Sequence, residues 1–187
     1  MQLKNKTILF LGSSVTYGAK AGGVSFADLM VDACGINCIK VAVSGTTLAD
    51  IDENSYVSRL KKVDTKQKVD LLICQLSTND GWKKVPLNDT EKAMRFIIEY
   101  AKETFNCPVA FYTSPYFDAP KYVDLIGSMY ELQKEYGFAV LDLYNDEEMS
   151  AVSEEDHKRY MADNVHPTLT GYKEWWLPKF IKFCEEL

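Results

Sequence analysis

The two histidines of this chain lie in very different surroundings. His166 belongs to the segment Asp163-Asn164-Val165-His166-Pro167, in which a carboxylate three residues earlier can reach the nearer ring nitrogen. Such a contact sets the imidazole tautomer and leaves the other nitrogen as a general base. His157 lies in the charged stretch 153–159, which is typical of a solvated surface. We therefore expect His166, and not His157, to take part in chemistry.

A candidate nucleophile occurs near the amino terminus. The segment Gly12-Ser13-Ser14-Val15-Thr16-Tyr17-Gly18 follows a short apolar run, and its small residues allow a sharp turn that exposes a hydroxyl beside free backbone N–H groups. The same segment is also compatible with a phosphate-binding loop of the flavodoxin type, or with a plain turn between a strand and a helix. Taken alone, this loop does not distinguish the three interpretations.

Two further loops carry candidate hydrogen-bond donors. Ser44-Gly45-Thr46-Thr47 follows the second apolar run, and a glycine can offer its N–H without a side chain intervening. Ser77-Thr78-Asn79-Asp80-Gly81-Trp82 follows the third, where the amide of Asn79 either serves a site or belongs to the turn. Asp80 is expected to be a helix cap or a partner of neighbouring groups and not a catalyst.

Composition excludes several classes of function. The chain has 21 Lys+Arg against 27 Asp+Glu, a formal net charge of −6, and so lacks the basic footprint of a nucleic-acid-binding protein. Two histidines, and five cysteines without a C-x-x-C pair, predict neither a metal site nor a cofactor. No run approaches the ~18 apolar residues of a membrane span.

The five cysteines also bear on the compartment. Cys74 and Cys107 lie in apolar runs and are expected to be buried, reduced thiols. Residues 1–6 contain no signal-type segment. We expect a cytoplasmic protein, with export by an unrecognised route as the alternative.

Short apolar runs alternate with helical patterns along the whole chain. Strands are predicted at residues 7–11, 38–43, 69–76, 108–112 and 138–143. Helices are predicted from a cap at Ser25 to Gly35, weakly over 50–62, from Asn88 or Asp89 onward, and over 119–136 and 169–186. This alternation predicts an α/β fold with a parallel, doubly wound sheet in a single domain spanning residues 1–187. Ligands of such sheets bind beyond the carboxyl ends of the strands, where the loops described above lie.

Taken together, the four loops resemble the SGNH (GDSL-type) hydrolase family. The resemblance extends from Gly12-Ser13-Ser14 to Asp163–His166, and the closing D-x-x-H-P element is its more specific half. It implies a three-layer α/β/α sandwich around a parallel five-stranded sheet, a flavodoxin-like architecture. The periodicity of the chain independently predicts the same arrangement.

The resemblance also implies roles for individual residues. Ser14 would be the nucleophile, His166 the general base and Asp163 its orienting carboxylate. The oxyanion hole would consist of the Ser14 and Gly45 N–H groups and the Asn79 side-chain amide. A serine hydroxyl needs such a base, because it is otherwise a poor nucleophile. Each preorganised donor to the oxyanion is worth about 3–4 kcal/mol.

Two positions depart from the family pattern. Ser13 stands where the family often has Asp, a residue outside the triad. Ser77 replaces the Gly of the G-x-N-D element, so a changed backbone is expected near the pocket.

The substrate expected from this resemblance is a small acyl ester, such as an O-acetylated carbohydrate, because the short loops contain no lid. Thioesterase, lysophospholipase and acyltransferase activities use the same residues. A flavodoxin-like nucleotide-binding module and an inactive relative of the family are the non-catalytic alternatives. The sequence does not determine the oligomeric state.

Aromatic residues on the loops after the strands are candidates for the pocket lining, although packing at its rim is an equal alternative. They are Tyr17, Trp82, Tyr116 and Phe117. Lys83 and Lys84, beside Trp82, are either a solvated pair or a contact for an anionic group.

Overall fold

The computed structural model describes residues 1–187 and centres on one five-stranded sheet with the strand order β2-β1-β3-β4-β5. All four strand pairings are parallel, and helices cover both sides of the sheet. The predicted fold class is therefore confirmed. The strands are Thr7–Gly12 (β1), Asn37–Ala42 (β2), Leu71–Gln75 (β3), Val109–Tyr112 (β4) and Ala139–Leu141 (β5).

Ten α-helical segments connect or follow these strands, and three of them (α5, α9 and α10) adjoin the π-helical turns at Ala101–Phe105 and Tyr172–Trp176. The first five are Ser14–Tyr17 (α1), Phe26–Cys34 (α2), Tyr56–Leu60 (α3), Thr78–Trp82 (α4) and Leu87–Tyr100 (α5). The others are Pro120–Tyr136 (α6), Glu147–Ser150 (α7), Glu154–Tyr160 (α8), Leu169–Gly171 (α9) and Leu177–Glu186 (α10). None of the helices combines the length and the apolar composition that a membrane crossing requires.

Helix α2 forms where its end signals predict it. The Ser25 side chain accepts from the N–H of Ala27, and Asp28 accepts from the N–H of Ser25, so two unpaired donors of the first turn are satisfied. Gly35 ends the helix in the left-handed conformation, with φ of 67°. The predicted boundaries of this helix are confirmed.

Several predicted boundaries are wrong. The segment after β1 is not all loop, because Ser14–Tyr17 forms one helical turn, and the weak helix predicted over 50–62 is reduced to α3. The helix predicted to be capped by Asn88 or Asp89 instead begins at Leu87, after Pro86, and the proline ring fixes φ at a value (−58°) that suits a helix entry. The short helices α4, α7 and α8 were not predicted, since four to seven residues carry too little periodicity.

An aromatic cluster packs α2 and α10 onto the sheet. The rings of Phe26 and Phe180 stack with centroids 3.7 Å apart, and Tyr112 of β4 meets both edge-on. Trp176 stacks on the same two phenylalanines. These side chains are fully buried, so α10 is held at a set height above the sheet. The loop that precedes α9 and α10 carries His166, and its position therefore depends on this packing.

The two cysteines that were predicted to be buried, reduced thiols have this state in the structure. Cys74 and Cys107 are free and buried. Burial raises the pKa of the Cys107 thiol to about 11, which keeps it protonated at neutral pH.

Candidate active site

A cleft of about 380 Å³ opens at the carboxyl edge of the sheet. It receives residues that follow β1 and β3, together with residues from the loop before α9. This is the edge at which parallel α/β sheets bind ligands. The lining residues are Ser14, Thr78, Asn79, Trp82, Asp163, Asn164, Val165 and His166.

The cleft contains a chain of three side chains. The Oγ of Ser14 lies 2.8 Å from Nε2 of His166. The Nδ1 of His166 lies 2.8 and 2.9 Å from the two carboxylate oxygens of Asp163. The structure thus brings together the three residues that the sequence analysis singled out for nucleophilic chemistry.

The charge of Asp163 determines the direction of these hydrogen bonds. Partial burial opposes its ionisation, but hydrogen bonds from the N–H groups of Val165 and His166 and from the His166 ring lower the pKa of Asp163 below its ordinary value. An ionised carboxylate can only accept, so Nδ1 of a neutral His166 ring must be the donor. The other nitrogen, Nε2, is then the acceptor that faces Ser14.

Local backbone contacts hold the loop that carries Asp163 and His166. Met161 and Pro167 form an isolated antiparallel bridge, and the N–H of Ala162 donates to the His166 carbonyl over 2.8 Å. The N–H of Thr168 donates to the Tyr160 carbonyl over 2.8 Å, so two backbone hydrogen bonds close the loop at its base. A closed base limits the freedom of the imidazole that faces Ser14.

The turn that carries Ser14 rests on a buried glutamine. The Oε1 of Gln75 accepts from the N–H of Ser13 over 3.0 Å and from Oγ1 of Thr16 over 2.9 Å. A Cβ at Gly12 would lie 1.7 Å from Oγ1 of Thr16, so only glycine fits this position. Sequence analysis missed Gln75, although a polar residue ending an apolar strand is a usable signal.

The three N–H groups predicted as oxyanion donors have hydrogen-bonding capacity to spare. The backbone N–H groups of Ser14 and Gly45 have no partner within the chain. The Asn79 side-chain amide donates one hydrogen bond, over 2.8 Å to the Thr46 carbonyl, and has a second hydrogen available. Gly45 has a φ of 77°, a backbone conformation that favours glycine.

Asp80 supports the loop after β2 and does not line the cleft. Its buried carboxylate accepts from the N–H groups of Leu48 and Ala49 over 2.8 and 2.9 Å, and from Oγ1 of Thr90 over 2.9 Å. The expectation that Asp80 binds neighbouring groups is met by these contacts. The Oγ of Ser77 is buried without a hydrogen-bond partner, so the serine at this position adds no polar contact.

Of the four aromatic candidates, Trp82 alone lines the cleft. Its indole is 66% exposed and lies beside Ser14, Asn79 and His166. The ring also lines a second cleft of about 210 Å³, between α4 and the start of α6. Tyr17 lies outside both, with Nζ of Lys40 at 5.6 Å from its ring centroid.

The expected pocket role of Tyr116 and Phe117 is not supported by their positions. Phe117 is only 6% exposed, because its ring packs between Tyr122 and Tyr144 in the core. Tyr116 packs on Tyr144, with ring centroids 5.3 Å apart, and lines a different groove that also contains His157. A loop position after a strand does not indicate on which side of the loop an aromatic ring becomes buried.

Comparisons with known proteins agree with this arrangement. Residues 10–174 match the model of the GDSL-like Lipase/Acylhydrolase family. No curated protein sequence matches the chain.

Solved structures resemble the chain over nearly its whole length. A protein from Lactobacillus plantarum has a TM-score of 0.83 at 17% identity, with 98% of each chain covered. A member of the lipolytic protein G-D-S-L family from Veillonella parvula has a TM-score of 0.77 at 15% identity, covering 97% of this chain and all of that one. The psychrotrophic esterase EstA from Pseudoalteromonas sp. has a TM-score of 0.71 at 15% identity, covering 97% of this chain and 98% of that one. At these identities, the likeness establishes a common fold.

Proposed function

Because this chain belongs to the GDSL-like lipase/acylhydrolase family, we propose that it is a serine ester hydrolase in which Ser14, His166 and Asp163 form the catalytic triad. The observation that carries this proposal is the distance of 2.8 Å between Ser14 Oγ and His166 Nε2, with Asp163 on the opposite ring nitrogen. A base in hydrogen-bond reach of a hydroxyl, itself oriented by a third group, is the arrangement that activates a serine.

In the first half of the reaction, Ser14 Oγ attacks the ester carbonyl carbon while Nε2 of His166 takes the hydroxyl proton. The resulting tetrahedral intermediate collapses by breaking the bond to the alcohol oxygen, which receives the proton from His166. An acyl-Ser14 ester remains. In the second half, water attacks this ester as His166 takes its proton, and collapse releases the carboxylic acid and returns the proton to Ser14.

The negative charge on the carbonyl oxygen needs donors that are already in position. We assign this role to the N–H groups of Ser14 and Gly45 and to the Asn79 side-chain amide. All three have unused hydrogens in the free protein. Donors with no internal partner need not break a bond when the oxyanion forms, which is the basis of preorganised stabilisation.

Small acyl esters are the substrates that suit the cleft best, with O-acetylated carbohydrates as the specific candidate. The cleft measures about 380 Å³, and the exposed Trp82 ring offers a flat apolar surface on which a sugar can stack. Thioesters and lysophospholipids would react through the same three residues and are the alternatives within the family. A flavodoxin-like nucleotide-binding module is disfavoured, since it gives no role to Asp163 and His166.

The test is hydrolysis of p-nitrophenyl acetate by the wild-type protein and by Ser14→Ala and His166→Ala, with His157→Ala as the matched control. We expect kcat to fall at least about 1,000-fold in the first two variants. His157 is exposed on α8 and outside the cleft, so its variant should keep wild-type activity. Hydrolysis that survives Ser14→Ala would overturn the assignment of the nucleophile.

A second measurement addresses the substrate. Activity toward a series of acyl chain lengths, acetylated sugars and acyl thioesters should be highest for short acyl oxygen esters. Mass spectrometry after exposure to an organophosphonate should find a single adduct, on Ser14. A preference for long acyl chains or for thioesters would replace the substrate proposed above while leaving the triad in place.

A further inference from the structure

Arg59 is a buried cation without a carboxylate partner. Its side chain, on α3, leaves the residue only 7% exposed. The two other arginines, Arg95 and Arg159, are surface residues paired with Glu135 and Glu174. Burial lowers the pKa of the Arg59 guanidinium, yet an arginine remains charged at neutral pH.

Backbone carbonyls take the place of a counter-ion. The Nη2 of Arg59 donates to the Gly12 carbonyl over 2.7 Å, and Nη1 donates to the Val41 carbonyl over 2.6 Å. The Nε donates to the Asn54 carbonyl over 2.9 Å. One guanidinium therefore joins the carboxyl ends of the neighbouring strands β1 and β2 to the start of α3.

The same guanidinium reaches the loop after β2. Its Nη2 also lies 3.0 Å from Oγ1 of Thr46, and that hydroxyl donates over 2.7 Å to the Val43 carbonyl. The carbonyl of Thr46 accepts the hydrogen bond from the Asn79 amide. Thr46 is thus the point at which Arg59 and Asn79 meet.

These bonds connect every donor that we assign to the oxyanion hole. Gly12 precedes Ser14 by two residues, Thr46 directly follows Gly45, and Asn79 binds Thr46 itself. The Ser14 N–H lies at the start of α1, and the Gly45 N–H lies on the loop after β2. The two segments are joined by a backbone hydrogen bond of 3.4 Å from the Val43 N–H to the Gly12 carbonyl, and the one side chain that bonds to both Gly12 and Thr46 is Arg59.

We infer that Arg59 is a positioning residue that sets the spacing of the oxyanion-hole donors through Thr46. This inference rests on the proposed function, since it concerns the same site. A rigid, planar guanidinium with several donors holds such a geometry better than the flexible ammonium of lysine, which is a single point charge. The guanidinium also lies 5.2 Å from the ring centroid of Tyr56, which limits its movement within the core.

The test compares Thr46→Val and Arg59→Lys with Thr47→Val as the matched control. Thr46→Val keeps the shape of the side chain and removes the hydroxyl that faces Arg59. Thr47 is the buried neighbour, and its hydroxyl donates to the Ala49 carbonyl without contacting Arg59. We expect kcat for p-nitrophenyl acetate to fall about 10- to 100-fold in Thr46→Val and Arg59→Lys, as for small misplacements of catalytic groups, and KM to stay within about twofold.

A double-mutant cycle distinguishes positioning from general destabilisation. If Thr46 acts through the oxyanion hole, Thr46→Val should lower kcat much less in an Asn79→Ala background than in the wild type. The acid limb of the pH profile should remain where it is in the wild type, because neither residue contacts His166. Equal losses in both backgrounds, or a loss as large in Thr47→Val, would overturn the inference.

The rate at which an organophosphonate labels Ser14 provides the closing measurement, since its P–O oxygen also needs the oxyanion donors. If the inference holds, Thr46→Val is labelled about 10-fold or more slowly than the wild type. Equal labelling rates would overturn the role of Arg59 and Thr46 alone. A wild-type protein that is not labelled at Ser14 would overturn the proposed function itself.

Discussion

The Oγ of Ser14 and Nε2 of His166 lie 2.8 Å apart, although 152 positions separate the two residues in the chain. Ser14 follows the strand β1, and His166 precedes the closing helices, so the contact requires both ends of the chain to meet at one edge of the sheet. Phe26 of α2 stacks on Phe180 of α10, and this stacking joins the amino-terminal part of the fold to the closing helix. The contact is a property of the folded chain as a whole, and four predictions depend on it or on its surroundings.

The first prediction concerns pH. The proposed base accepts the Ser14 proton only as a neutral imidazole, so kcat/KM should fall as the pH is lowered from about 8 to 5. The pKa of Asp163 is lowered, and its carboxylate therefore stays ionised throughout. The acid limb should accordingly correspond to a single proton, with a slope of one in a plot of log(kcat/KM) against pH. A flat profile over this range would contradict the role of His166.

The second prediction concerns the oxyanion. Asn79→Ala removes a donor whose second amide hydrogen is free. We expect kcat to fall about 100- to 1,000-fold with little change in KM, because the interaction is made mainly in the transition state. The measurement is steady-state hydrolysis of p-nitrophenyl acetate. A rise in KM with unchanged kcat would instead make Asn79 a substrate-binding residue.

The third prediction concerns Trp82. Replacing this ring with alanine should raise KM for aryl or sugar esters about 2- to 10-fold, the equivalent of about 0.5–1.5 kcal/mol for one aromatic contact. Tyr116→Ala is a suitable control, because Tyr116 is 61% exposed and lies outside the cleft. Equal effects of the two substitutions would exclude a specific role for Trp82.

The fourth prediction concerns stability. In Asp80→Asn, an amide NH₂ replaces one of the oxygens that accept from Leu48, Ala49 and Thr90, and thus faces a donor. We expect the free energy of unfolding to fall by about 1–3 kcal/mol, the cost of an unsatisfied buried polar group. Urea denaturation measures this change. Asp124→Asn is the control, since Asp124 is exposed on α6, and the prediction fails if both variants lose equal stability.

The sequence alone was sufficient for the order of the five strands and the longer helices along the chain. Apolar runs of five to eight residues between helical segments have few alternatives to a parallel sheet, and the right-handed crossover rule restricts the topology further. The end signals of α2 are local in the same way, since Ser25, Asp28 and Gly35 act within one or two turns of the helix. The relationship of Asp163 to His166 is also local, because the two residues are three positions apart in one loop.

Features that depend on distant packing were not predictable in this way. Phe117 and Trp82 are both aromatic residues predicted to lie on loops after strands, yet the first is buried and the second exposed. The neighbouring residues in the chain do not distinguish the two rings, because the burial of each ring depends on the side chains that pack against it in the folded protein. Phe117 packs against Tyr122 and Tyr144. In the sequence, Arg59 is one polar residue of a weakly predicted helix. Its hydrogen bonds to Gly12, Val41 and Thr46 exist only in the folded protein.

By itself, the sequence thus determined which residues could do chemistry here and which elements carry them, because side-chain type and local periodicity are written in short stretches of chain. Only the tertiary structure decided the distance between Ser14 and His166, the burial of Phe117 and the contacts of Arg59. These depend on close packing between segments far apart in the chain, where a shift of one ångström makes or breaks a hydrogen bond.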